Sequence, residues 1–128
     1  PNPKWRKFTY AFGDFSAAAN SFSVTAFALA AEEGIDAVVV RHSTAFSGGS
    51  ITAYTVEVGQ IADTDKYAAP FDTFQAVGNT TRQANNVFDV PNFGATTNVV
   101  VTARSVGDTL DNATAGSVDV YIRTFLLP

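Results

Sequence analysis

The sequence predicts an all-β fold: an antiparallel β-sandwich or jelly roll of six to eight strands, preceded by an extended N-terminal arm. Three observations carry that expectation. Valine and threonine occur 15 times each, against 4 leucines and no methionine, and branching at Cβ suits a pleated strand better than a helical turn. Apolar and polar residues alternate with a period of two through several stretches. Glycine, proline and asparagine punctuate those stretches, and there is no helical pattern of the length that builds βαβ units.

Phe8, Tyr10 and Phe12 alternate with Thr9 and Ala11, which predicts the first strand. From Phe22 to Ala30 the apolar phase moves from Phe22 and Val24 to Phe27 and Leu29, as a bulge near Ala26 produces. Glu32, Glu33 and Gly34 read as a turn. The run Ile35 to Phe46, with Val38, Val39 and Val40 in succession, reads as a central strand covered on both faces. Gly48 and Gly49 then suggest a hairpin into Ile51 to Val58. There Tyr54, Val56 and Val58 share a dry face, and Thr55 and Glu57 a wet one. Between Gly59 and Gly94 the pattern weakens, which predicts long loops, short strands at Phe71 to Val77 and Val87 to Val90, and one helical turn near Tyr67. Val99, Val101 and Ala103 restore the alternation, and Val118, Val120, Ile122, Thr124 and Leu126 complete it in a final strand.

With 128 residues, 46% of them hydrophobic and none of them cysteine, the chain suits one domain whose core needs neither disulfide nor zinc. No run of 18 apolar residues offers a membrane-spanning helix. The net charge of −4 is unevenly spread, because Lys4, Arg6 and Lys7 fall in the first seven residues, which contain no acid. Pro1 and Pro3 resist helix and central-strand structure. Residues 1–7 are therefore expected to form a basic arm on an acidic sandwich of residues 8–128, with Lys4, Trp5, Arg6 and Lys7 contacting a partner. Trp5 among cations has the composition of an interface anchor, or it caps the domain's own core. The acidic body argues against nucleic acid as a partner.

The search for chemistry yields little. His42 is the one histidine, and its neighbour Ser43 points to the opposite face of a strand, so a structural, hydrogen-bonded histidine is the expectation. Glu32, Glu33 and Glu57 do not form a poised carboxylate pair. Asp63 with Asp65, and Asp108 with Asp111 and Asn112, cluster oxygens as calcium sites do, but neither cluster follows the twelve-residue loop pattern, and solvated turns explain them better. Asn79 and Asn112 begin N-x-T sequons, which matter only in a secreted chain. No cofactor, metal or catalytic residue is predicted.

The segments HSTAFSGGSITAYTVEVG (residues 42–59), KYAAPFDTFQ (66–75) and TAGSVDVYI (114–122) resemble small proteins encoded among the virion genes of tailed bacteriophages. The likeness spans about residues 8–123 and contains no active-site motif. It implies a non-enzymatic, β-rich structural protein of the virion, assembled in the host cytoplasm. Such proteins are commonly head decoration or cement proteins, often trimers, that contact the major capsid protein or another virion protein. Others are tail, fibre or collar parts with a receptor- or carbohydrate-binding role. A sugar-binding module would draw on Trp5, Tyr10, Tyr54, Tyr67 or Tyr121, which combine a ring with a polar tip.

Overall fold

The computed structural model describes residues 3–77, 82–85 and 87–128. Its eight strands are β1 (Lys4–Ala11), β2 (Ser21–Leu29), β3 (Glu33–Ser47), β4 (Ala53–Gln60), β5 (Asp63–Asp72), β6 (Arg82–Asn85), β7 (Thr97–Val106) and β8 (Ala115–Leu126). They form two four-stranded antiparallel sheets in the orders β1-β8-β3-β6 and β2-β7-β4-β5. Among the described strands only β4 and β5 are joined within one sheet. Every other connection crosses between sheets, which is the eight-stranded jelly-roll arrangement.

The core lies where the two inner faces meet. Val38, Val40, Val118, Val120 and Ile122 come from one sheet, and Val56, Val58, Val99, Val101 and Ala103 from the other; all ten are buried. Period-two alternation puts them there, since each belongs to a run whose intervening residues face outward. One corner is closed by aromatics. Phe46 of β3 stacks on Tyr54 of β4 at 4.4 Å between ring centroids, and Phe15, in a short 3₁₀ turn after β1, packs against Phe46 at 6.5 Å.

The bulge in β2 is present, as a register shift between Thr25 and Phe27 against β7. β3 is central as expected, lying between β8 and β6. It is covered on one face only: Val38 and Val40 are buried, while Val39 on the outer face is partly exposed. The two glycines after β3 do not make a hairpin. They carry the chain from one sheet to the other with φ of +143° and +51°. A Cβ on Gly48 would lie 2.5 Å from the Asn112 carbonyl oxygen, so this crossover packs on the segment before β8. The Gly-Gly pair supplies the positive φ that the turn needs, but β3 and β4 belong to different sheets and do not pair.

Tyr67 sits within β5, a ten-residue strand, rather than in a helical turn. Its alternation is hidden by register shifts on β4 between Val56 and Val58 and between Val58 and Gln60. Pro70 is tolerated because β5 is a sheet edge, where no ladder hydrogen bond is needed on the outer side. Beyond it, Asp89 forms a two-way backbone bridge to Ile35 (2.8 and 3.1 Å) inside the segment expected as Val87 to Val90.

The expected arm is the largest correction. Lys4 to Lys7 are the first half of β1, in register with Thr124, Arg123, Ile122 and Tyr121 of β8. Their side chains alternate like the rest of the strand, with Arg6, Phe8 and Tyr10 on the inner side. Proline at positions 1 and 3 bars a central strand but not an edge strand, and β1 is an edge.

Candidate functional site

Strand β1 brings the four sequence-predicted contact residues onto a sheet, and the alternation divides them. Arg6 turns inward: its Nη2 donates to Glu33 Oε2 at 3.0 Å and its guanidinium lies 4.7 Å from the centre of the Phe27 ring. Trp5 and Lys7 point outward. Lys4 begins the strand, exposed, opposite Thr124.

The outer face that Trp5 and Lys7 share with β8 and β3 is rich in rings and cations. Arg123 lies with its guanidinium 5.5 Å from the Trp5 ring centre while Nε donates to Asp36 at 2.7 Å. Lys7 Nζ stands 5.7 Å from the Tyr121 ring centre. Phe125, on the same side of β8, stacks with Phe88 at 5.4 Å between ring centroids and 8° from parallel. Arg41 donates to Asp119 Oδ2 at 2.7 Å, and Thr9 donates to Asp119 Oδ1 at 2.7 Å. The carboxylates on this face are thus occupied by neighbours, and its exposed groups include Trp5, Lys7, Arg41 and Phe88. Trp5 is 49% exposed and Phe88 72%. Such cation–π and stacking contacts hold large side chains in place, which lowers the entropy lost when a partner covers them.

Asp119 on this face and Glu33 beside the inward-turned Arg6 are held below their ordinary values. For Asp119, burial pushes upward but is outweighed by hydrogen bonds from Arg41 and Thr9 and by the charge of Lys7. For Glu33, burial likewise pushes upward, and the Ala30 amide, Arg6 and Thr124 outweigh it. The ordinary values are 3.8 and 4.5, so the unfolded chain takes up protons at higher pH than the folded one. Their stabilisation is complete above those values and is lost as the pH falls through the lower, folded ones. We expect the melting temperature to drop on acidification below about pH 5. The double variant Glu33→Gln, Asp119→Asn should start lower and show a shallower acid slope, which a series of thermal melts reads directly.

The end of the sandwich at which β3 begins holds an open pocket of about 250 Å³, lined by Leu29, Ala30, Glu33, Gln60, Lys66, Tyr67, Asp89, Val90, Asn92 and Thr97. Gln60 Nε2 donates to the Tyr67 hydroxyl at 2.6 Å, which donates to Asp89 Oδ2 at 3.0 Å, and Lys66 Nζ is 3.7 Å from Asp89 Oδ1. Burial first, then the charge of Asp89, pushes the Tyr67 hydroxyl up to about 12, so it stays protonated and donating. The Tyr67 ring is buried and offers no stacking surface.

The remaining predicted residues are structural. His42 is buried, with Nε2 3.0 Å from the Gln75 carbonyl and its ring edge-on to Phe71, while Ser43 is exposed on the other side of β3. Glu33 is not in a turn but begins β3, and Glu57 is not solvated: it is buried against Arg104 Nε at 2.8 Å, with Thr64 donating at 2.5 Å. Asp108 ties two loops together by accepting from the Ser50 and Thr109 amides and from Asn112, contacts that hold its carboxyl below the ordinary value. Asp63 is raised by its hydrogen bond with neighbouring Asp65. Among the described residues no group of three or more His, Cys, Asp or Glu could hold a metal ion. Of the two sequons, Asn79 lies outside the described residues.

Sequence reasoning missed Tyr121, Arg123, Phe125 and Phe88 as parts of the face. The first three carried a signal, because bulky rings and an arginine occupy the polar phase of an otherwise clean alternating strand. Phe88 carried none.

Neither a family model nor a curated protein sequence matches the chain. Solved structures do. A chain of the cyanophage Pam1 capsid asymmetric unit is similar with a TM-score of 0.66 and 15% identity, covering 98% of this chain and 87% of that one. A capsid chain of Ralstonia phage GP4 gives 0.58 and 11%, covering 99% and 86%. A chain of the acid-stable capsid of Helicobacter pylori bacteriophage KHP30 gives 0.53 and 18%, covering 96% and 94%. At these identities the likeness is one of fold, and it agrees with the resemblance to phage virion proteins noted in the sequence.

Proposed function

We propose that the protein is a non-enzymatic structural component of a phage virion, of the head-decoration type, which oligomerises and binds other virion proteins through the outer face of the β1-β8-β3-β6 sheet. One observation carries the reading: on a fold shared with chains of phage capsids, this face carries an aromatic and cationic layer built from the exposed Trp5, Lys7 and Phe88 and the half-buried Tyr121, Arg123 and Phe125. Tryptophan, tyrosine and arginine are the residues that dominate binding energy at protein interfaces. The partner is the major capsid protein or a neighbouring virion protein, and a cyclic homo-oligomer, a trimer first, suits a molecule seated at a symmetry axis. A decoration protein stabilises a shell by mass action, because it binds the assembled state alone. Trp5 and Lys7 touch the partner, Lys4 borders the contact, and Arg6 supports it from beneath through Glu33 and Phe27.

Cosedimentation with undecorated shells tests this. Trp5→Ala with Arg123→Ala is expected to lower occupancy more than about tenfold, while Thr25→Ala on the opposite sheet leaves it unchanged. Equal occupancy for all three proteins removes this face from the mechanism, and failure of the unaltered protein to bind any shell removes the decoration reading. A tail, fibre or collar part with a carbohydrate-binding role is the second reading, favoured by the pocket beside Tyr67. Imaging labelled protein on particles separates the two locations.

A further inference from the structure

We propose that the pocket between the β2–β3 turn, the β4–β5 hairpin and the segment before β7 binds a single neutral sugar residue. The inference deepens the carbohydrate-binding reading and rests on it, and it does not depend on where the protein sits on a particle; the pocket adjoins the docking face, since Glu33 pairs with Arg6 and Phe88 directly precedes Asp89. Three observations support it.

The first is size. About 250 Å³ is well beyond what one or two waters need, yet below the range of pockets for drug-sized ligands, so the occupant is about one ring in extent. The second is charge balance. The cations and acids at the pocket are paired with each other: Lys66 lies 3.7 Å from Asp89, and Arg6 lies 3.0 Å from Glu33. A phosphate would meet two carboxylates with one ammonium already engaged, and a metal cation would meet that ammonium. An uncharged ligand faces neither penalty.

The third is the kind and order of the polar groups. Tyr67 is 2% exposed, and its hydroxyl orients Asp89 from behind while being fixed by Gln60. This leaves a positioned carboxylate, two side-chain amides (Gln60 and Asn92), the Lys66 ammonium and Thr97 around one mouth, with Leu29 and Val90 as apolar wall. Vicinal hydroxyls, which both donate and accept, match an alternation of carboxylate, amide and ammonium, while the C–H face of a pyranose suits the apolar wall. The sequence offers Tyr67 as a ring with a polar tip, both at the contact. Here the ring is buried and the hydroxyl positions Asp89.

Saturation-transfer NMR on the full chain, with methyl glycosides of neutral hexoses and N-acetylhexosamines as probes and with inorganic phosphate and calcium chloride titrated separately by chemical-shift mapping, tests the proposal. At least one neutral glycoside is expected to receive saturation at millimolar concentration. Asp89→Asn and Asn92→Ala should each weaken it about tenfold or more, and Trp5→Ala should leave it intact. Far-UV circular dichroism and melting of each variant establish that the sandwich is retained, and Asn92→Ala, on an exposed loop, serves where Asp89→Asn does not fold. A glycan array distinguishes a free monosaccharide from the terminal residue of a longer chain. Absence of saturation for every neutral glycoside, a signal unaffected by both variants, or shifts at Lys66 and Asp89 produced by phosphate or calcium alone would each overturn the assignment. Loss of shell binding with sugar binding retained rejects the decoration reading and leaves this one standing.

Discussion

Replacing Phe46 by alanine is expected to lower folding stability by about 3–5 kcal/mol, a large share of the 5–15 kcal/mol that holds a domain of this kind together. Phe46 is fully buried and joins three parts of the chain distant in sequence: it stacks on Tyr54, packs against Phe15, and lies under Gly116, where a Cβ would come within 2.3 Å of its ring. Removing the ring deletes its transfer free energy and leaves a cavity that these neighbours cannot fill, because Gly116 contributes no side chain and β8 is pinned on both edges. Phe46→Leu keeps most of the volume and should cost about 1–2 kcal/mol. Urea unfolding monitored by fluorescence measures both. A loss below about 1 kcal/mol for the alanine variant would mean that this corner is not packed as described.

Arg104→Met is the second large effect, with an expected loss of about 2–3 kcal/mol. Glu57 has a side chain only 3% exposed, whereas Arg104 is 48% exposed. Removing the arginine leaves a carboxylate in a dry site with Thr64 as its remaining hydrogen-bond donor among the described contacts. The reverse truncation is milder, since Arg104 can turn to water. The diagnostic is the double variant Glu57→Leu, Arg104→Met, which removes the buried charge along with its partner and should recover to within about 1 kcal/mol of the unaltered protein. A double variant as unstable as Arg104→Met alone would show that the pair is net stabilising, and strictly additive losses would show that the two side chains are not coupled.

Glu57 also illustrates where the sequence was legible and where it was not. Alternation along β4 assigned it correctly to the outer face. That face is expected to be wet, but β5 turns back over β4 so tightly that a Cβ on Gly59 would lie 2.2 Å from the Asp63 carbonyl oxygen, and the hairpin covers it. Period-two patterns report which side a residue takes and not what later covers that side. The same holds for the two sheets. The strands β1, β2, β3, β4, β7 and β8 could be read from their own alternation, and the bulge in β2 from its phase change. The assignment of Gly48 and Gly49 to a crossover depends on which strands pair, which local sequence does not encode. Proline and charge in residues 1–7 suit an edge strand as well as an extended arm, and Lys4 and Lys7 on an edge discourage pairing with another sheet. For the docking face, Trp5 and Lys7 were legible because charge asymmetry marks the first residues. Phe88 reaches Phe125 across 37 residues through a segment with no regular pattern, which is a tertiary fact. The pocket is tertiary in the same sense, being assembled from three connections.

The position of β8 between β1 and β3 has a consequence for biogenesis. Until residues 115–126 leave the ribosome, β1 has no ladder partner and β3 has only the four-residue β6. One of the two layers therefore cannot close before β8 emerges, and its valine-rich inner side stays open to chaperones or to aggregation for that interval. Truncating the gene even a few codons into this last strand should release both of its neighbours at once, and nonsense changes there are expected to abolish soluble protein rather than shorten it.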